Sequence, residues 1–307
     1  MASECRVIVD IAQQTTKSVA SLLREFAGFN KLESILLFKA LSLPTLDAIV
    51  LTDFNNETFE VLRDRYPNKS FIIRTDKREE AKDLPRGGYK SSTENLDLYL
   101  PKLIEDGRII ILLAMPLSRY DHIYSMNLLF DYSKIKIEIV GKGFDMSDLN
   151  RGDVSPHEIL EIPLNYNYKH DLWDIYDFMP LNIISFRRFL ISQEDYRKSV
   201  KRRLCKIGKG LTKGEKNDKL PIEEAIISAR SYLEAQGKTI ILEDNEDYKP
   251  IPFALLHDIV KLVYYLPLEI LSFNKPLEEF CLSCGVYFTG QIVFWDIVWP
   301  SIKFKLT

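Results

Sequence analysis

Apolar strands that end in charge and run straight into glycine constrain this chain more than any other feature of its sequence. From Phe71 to Glu158 the order reads as a strand (Phe71-Ile-Ile-Arg-Thr-Asp76) and then a loop (Leu84-Pro-Arg-Gly-Gly-Tyr89). A helix (Thr93–Glu105) and a strand (Ile109–Leu113) follow, and then a strand with a long polar loop (Ile135–Glu158). Short β-branched runs bounded by turn residues are strand signals. Backbone N–H groups can approach an anion only where no Cβ blocks them, so charge beside glycine is what a phosphate and metal site needs. Elsewhere strands at Arg6–Val9 and Asp47–Thr52 alternate with a helical region through Phe38 and a helix over Asn56–Arg65, which Tyr66-Pro67 stops. The alternation predicts α/β or α+β layering.

Composition bounds the class. With 46% hydrophobic and 28% charged residues over 307 positions, the chain can bury a sizeable core, and disordered or collagen-like classes are excluded. The net charge of −3 hides an asymmetry: Phe186–Lys219 holds twelve Lys/Arg against four Asp/Glu, a local +8, which leaves −11 for the rest. The run Lys206-Ile-Gly-Lys-Gly-Leu-Thr-Lys-Gly-Glu-Lys216 lacks apolar periodicity and reads as a mobile loop. Further on, Pro221–Gln236 and Phe253–Leu266 read as helices, Lys238–Leu242 as a strand, and Val286–Asp296 as two strands around a Thr289-Gly290 turn. The opening residues carry no signal-peptide pattern and no run of about 18 uncharged apolar residues occurs, so a cytoplasmic setting without a membrane partner is the expectation. Four cysteines make no disulfide framework, and the CxxC spacing of Cys281 and Cys284 reads as packed thiols rather than zinc ligands.

The densest polar cluster is Gly141–Asp153, where Asp145, Asp148 and Asp153 offer oxygen ligands suited to Mg²⁺. It fails the EF-hand template, which demands glycine at the sixth position, and the alternative is an Asx-rich capping loop. Arg151 within it and His157 just beyond it are candidate catalytic groups, His157 because imidazole titrates near neutrality. Walker and Rossmann glycine signatures are absent. The basic section is read three ways: a phosphate-facing lid, a nucleic-acid patch preceded by Trp173 and Tyr176, or a solvated helix face.

Taken in order, these pieces resemble the ATP-grasp superfamily. The text that carries the resemblance is Leu36–Thr45 with its Leu-Pro-Thr strand entry, Ser70–Lys77, Pro85–Tyr89, Ile109–Pro116 and Ile292–Pro300. It covers about residues 33–160 and the last twenty. The arginine at Arg74 is similar to the variant found in phosphoenolpyruvate-synthase-type relatives. The resemblance implies two small mixed sheets flanked by helices, with a helical basic insertion. Three parts are expected: 1–66 and 67–163 for the nucleotide-binding unit, and 164–307 for the basic segment and last strands. It implies ATP and Mg²⁺ as cofactors, with Arg74, Asp76, Lys77, Arg86, Gly87, Gly88, Met115 and Glu138 at the nucleotide. Asp296 would hold metal, with the Asp145, Asp148 and Asp153 cluster beside it. The implied activity is ligation of a carboxylate, through an acyl phosphate, to an amine or other acceptor, or phosphate transfer to an anionic small-molecule or peptide substrate. The asparagine usual after the final carboxylate is missing, which motivates the rival reading of a nucleotide-binding or regulatory protein without catalysis.

Overall fold

The computed structural model describes residues 8–77, 89–104, 108–114, 122–131, 134–144, 146–150, 152–164, 186–211, 220–235, 246–264, 266 and 279–298. The chain divides into two compact units, Met1–Ser118 with Val293–Ile297, and Arg119–Ile292 with Val298–Thr307.

The first unit opens with β1 (Ile8–Asp10), α1 (Thr16–Glu25), α2 (Asn30–Ala40), β2 (Ala48–Leu51) and α3 (Asn56–Arg65). There follow β3 (Ser70–Asp76), β4 (Tyr89–Ser92), a 3-10 turn at Thr93–Asn95, α4 (Leu96–Ile104) and β5 (Ile109–Ala114). The helix starts are set locally: the Thr15 and Asn55 side chains accept from the N–H of Ser18 and Thr58, satisfying donors a free helix end would leave orphaned. The sheet runs β1-β2-β5-β3-β4, and its pairings are antiparallel. Side chains alternate across a strand. One face of β2, β3 and β5 therefore presents Ile49, Leu51, Phe71, Ile73, Ile110 and Leu112, packed with Leu62 of α3 and Leu96 and Leu100 of α4. Each such burial contributes about 1.5–3 kcal/mol. The opposite face of β3 is left to Arg74 and Asp76.

The second unit contains β6 (His122–Phe130), β7 (Lys134–Gly141), α5 (Met146–Asn150), β8 (Glu158–Pro163), β9 (Arg187–Leu190), α6 (Gln193–Leu211), α7 (Ile222–Ala235), α8 (Phe253–Val263) and β10 (Phe280–Tyr287). The last strand is β11 (Ile292–Val298), most of which belongs to the first unit. The six-stranded sheet runs β11-β10-β6-β7-β8-β9, antiparallel from β10 to β9. The sheet order closes on β9, an edge strand whose four residues are all exposed.

One sequence expectation is overturned outright. Residues Lys206–Leu211 are not loop but the last turns of α6, a 19-residue helix. Its buried stripe is Tyr196, Val200, Leu204 and Gly208, one residue in four, packed on α7. A Cβ at Gly208 would lie 1.8 Å from the Ala225 carbonyl oxygen, so glycine stands there because two helix backbones meet. The expected strand at 238–242 and the glycine loop at 85–88 lie outside the described residues. Among the described residues no helix is long and apolar enough to cross a membrane.

Candidate functional site

The candidate site is built in the first unit, on the face of β3 away from the apolar cluster. Arg74 points its guanidinium at Asp296: Nη2 is 2.8 Å from Oδ2, while Nη1 donates to the Trp295 carbonyl at 3.4 Å. The strand bearing Asp296 is held there by the segment after α2. The Phe294 N–H donates to Pro44 O at 2.8 Å, Thr45 Oγ1 donates to Phe294 O at 3.1 Å, and the Phe38 and Phe294 rings pack with centroids 5.9 Å apart. Ser34 Oγ meets the backbone of Ile297 as both donor and acceptor. The Leu-Pro-Thr break in the sequence therefore has a job: it receives the strand that brings the carboxylate to Arg74.

Asp76, two residues further along β3, is buried and anchored. Its Oδ2 accepts from the N–H groups of Lys31 and Leu32, and its Oδ1 from Lys77. It thereby caps the start of α2 with a negative charge, where the helix dipole favours one. Burial pushes the Asp76 carboxyl above the usual range, against the pull of those backbone donors and of Lys31. Lys31, which sequence reasoning missed, donates its Nζ to Thr75 O at 2.7 Å. Desolvation holds its amine below the usual lysine range, and the nearby Arg74 lowers it further, with Arg108 adding to the effect. Three cations and two carboxylates thus share one field, a small positive surplus. No local signal marks Lys31 in the sequence, because its partners lie 44 and 45 positions away.

The remaining candidates are distributed differently. Lys77 is half-buried beside Asp76. Arg86, Gly87, Gly88, Met115, Asp145 and Arg151 lie outside the described residues. Glu138 belongs to the second unit, where it pairs with Lys136 of its own strand at 2.7 Å. Asp148 pairs with Arg203 of α6 at 2.8 Å, nearly without exposure on either side, and Asp153 pairs with Lys206 at 2.8 Å. The acidic loop is thus pinned to α6 by those ion pairs. Among the described residues no three His, Cys, Asp or Glu side chains gather as a metal-ligand group. Cys281 and Cys284 sit three apart on β10, so their side chains leave opposite faces of the strand.

His157 is fully buried among Phe144, Tyr196 and Tyr248. The Gly141 N–H donates to Nδ1 at 3.0 Å, which leaves the proton on Nε2, facing Ser199 Oγ at 3.2 Å. Ser199 Oγ in turn donates to Tyr196 O. Burial alone pushes the imidazole down to about 3, so it stays neutral across the physiological range and ties β7 to α6. Its neighbour Glu158 is equally buried. One oxygen accepts from Tyr248 Oη at 2.8 Å and Ile251 N at 3.0 Å, and the other lies 2.8 Å from Arg188 Nε as an ion pair without hydrogen-bond alignment.

No protein-family model matches the chain, and a search of curated proteins returns no match. Among solved structures it is similar to D-alanyl-alanine synthetase A from Vibrio cholerae O1 biovar eltor str. N16961, at 12% identity and a TM-score of 0.37, over 91% of this chain and 56% of that one. It is similar to the macrocyclase MdnC from Microcystis aeruginosa MRC, bound with precursor peptide MdnA, at 9% identity and a TM-score of 0.34, over 94% and 61%. A further similar structure is the C-terminal domain of K. lactis Pby1, an ATP-grasp enzyme interacting with the mRNA decapping enzyme Dcp2. There the identity is 11% and the TM-score 0.27, over 95% and 66%. The chain thus spans between 56% and 66% of the length of these structures. Likenesses with TM-scores this low transfer no role to any residue here.

Proposed function

We propose that the first unit binds a nucleoside triphosphate at the group formed by Lys31, Arg74 and Arg108. On this reading the protein uses ATP to activate a carboxylate for ligation, or to phosphorylate an anionic acceptor. The observation that carries this reading is the half-buried Arg74 guanidinium, oriented by Asp296 and flanked by the partly desolvated Lys31 amine. A planar guanidinium suits bidentate phosphate contact, and a desolvated amine is a point charge whose field water screens little.

The chemistry asks little else of the protein. In phosphoryl transfer a substrate carboxylate oxygen attacks the γ-phosphorus while ADP departs, and the charge on the phosphoryl oxygens must be met by fixed positive groups. An amine then attacks the acyl carbon and phosphate leaves. Arg74 would exchange part of its contact with Asp296 for phosphate oxygens, and Lys31 would hold the same charge from the side of α2. Magnesium accompanying the nucleotide needs only one or two protein carboxylates, and Asp296 would supply one. The ion would neutralise phosphate charge when bound.

A second reading has its own support. Arg74 is already committed to Asp296, and its neighbour Asp76 is committed to the α2 backbone. A protein that binds nucleotide without turnover would keep this arrangement. Calorimetric titration of the full chain with ATP in magnesium, followed by an ADP-release assay, separates the two. Binding with release supports the enzyme, and binding without release supports the second reading. Arg74→Ala is expected to weaken ATP binding at least tenfold; unchanged affinity removes Arg74 from any nucleotide site.

A further inference from the structure

The second unit holds a cleft of about 700 Å³ that the nucleotide reading does not use. One wall is the face of α6 that carries Lys198, Arg202, Arg203 and Lys206; the floor is apolar, with Ile159 and Phe189. Arg203 and Lys206 are tied to Asp148 and Asp153, and Lys198 to Glu194 and Asp195. Among the described residues the Arg202 side chain has no hydrogen-bond or ion-pair partner, and it acts on Asp195 through space. The wall is therefore basic, but its charge is metered by carboxylates rather than massed.

Beside this wall runs β9, the last strand of the sheet order. The Ile191 N–H donates to His157 O at 2.9 Å, towards β8. In an antiparallel ladder alternate residues turn their N–H and C=O to opposite sides, so Arg188 and Leu190 aim theirs outward. Among the described residues no strand lies on that side. Phe189 and Leu190 are 54% and 50% exposed. Natural sheet edges are blunted by charge, proline or a bulge, because an open apolar edge recruits another strand. Here Arg187 and Arg188 supply charge, yet two adjacent large apolar side chains remain in the open.

We propose that β9 and the α6 cleft form a docking site for an extended acidic peptide. The peptide backbone pairs with the outward N–H and C=O groups of Arg188 and Leu190, and the side chains of one peptide face enter the cleft, apolar ones over Ile159 and Phe189 and acidic ones between them. Its carboxylates meet Arg202 and Lys198. Charge decides the occupant. A second copy of this chain would bring the same +8 stretch against itself, and like charges at an interface are penalised. A nucleic-acid backbone offers no repeating donors and acceptors for a strand edge. An acidic strand offers both the pairing and the complementary charge.

The test uses the full chain and a fluorescein-labelled octapeptide whose odd positions alternate valine and glutamate and whose even positions are threonine, followed by anisotropy at low and raised salt. Saturable binding that weakens with salt is expected, with slowed amide exchange at Arg188 and Leu190. Arg202→Glu is expected to reduce affinity roughly tenfold, since it reverses a charge on the binding wall. Leu190→Pro removes an outward donor at an edge position, where proline is tolerated, and is expected to abolish binding without shifting the melting temperature. No binding of the peptide overturns the proposal, as does a Leu190→Pro variant that stays folded and binds like the parent. A single-stranded oligothymidylate that binds more tightly and displaces the peptide also overturns it, in favour of nucleic acid. Sedimentation showing a dimer that Leu190→Pro dissolves overturns it in favour of a second copy.

Discussion

Arg74 and Asp296 stand 222 residues apart in sequence and 2.8 Å apart in space. The pair is half-buried, with 20% and 29% of the side chains exposed, between the surface pairs that contribute little and the buried ones that are costly to break. A double-mutant cycle of Arg74→Ala and Asp296→Ala, read by urea unfolding, is expected to give a coupling of about 1 kcal/mol. A coupling of zero would mean that Phe294 and Ser34 place β11 unaided.

His157 makes the fold acid-sensitive. Its folded value of about 3 lies below the ordinary imidazole value of 6.5, so between those limits the unfolded chain binds a proton that the folded chain refuses. Stability therefore falls as pH drops through that window, by up to about 1.4 kcal/mol per pH unit. His157→Gln removes the titrating group. The difference between parent and variant unfolding free energies is expected to narrow steadily from pH 7 towards pH 4; a constant difference would contradict the burial of the ring.

Two glycines of α6 separate packing from propensity. Gly208→Ala drives a methyl group into the Ala225 carbonyl, and is expected to lower stability by about 3 kcal/mol or more as α6 and α7 are forced apart. Gly210 has open space around its Cβ position, and Gly210→Ala is expected to stabilise by up to about 1 kcal/mol. Equal effects at the two sites, measured by thermal melts, would deny the close helix contact.

The buried carboxylate of Glu158 accepts hydrogen bonds from Tyr248 and Ile251 on one oxygen and meets the Arg188 guanidinium at the other. Tyr248→Phe removes one of them and is expected to cost about 1–3 kcal/mol, since the carboxylate cannot recover the bond from water. Burial and the adjacent Glu158 push the Tyr248 phenol well above its ordinary value. The phenol should therefore remain protonated in an alkaline ultraviolet titration until the fold is lost.

Much of the frame could be read from local pattern. The apolar runs Phe71–Ile73 and Ile109–Leu113 lie within β3 and β5, and the Thr289-Gly290 turn lies between β10 and β11, because short apolar runs closed by turn residues are legible locally. No spacing in the sequence brings Arg74 to Asp296, because the 222 residues between them are closed only by the fold. What escaped the sequence depended on distant partners. α6 hid its helical nature because its buried stripe is just one residue in four, one of those being glycine, so the Lys-Gly run looked like loop. Asp148 and Asp153 looked like ligands for a cation, and so they are, but the cations come from side chains 55 and 53 positions downstream. His157 looked titratable, whereas rings from three separate stretches exclude the proton.

The first unit takes in Val293–Ile297, although the rest of it is complete at Ser118. During synthesis at ~5–20 residues per second, Ser34 and Thr45 wait on the order of ten to fifty seconds for the strand they bind. Until then Phe38 lacks its ring partner and Arg74 its counter-charge. The nascent half-unit is thus an obligate guest of its own unfinished chain, and ribosome stalling between these points would hold it where chaperones find it.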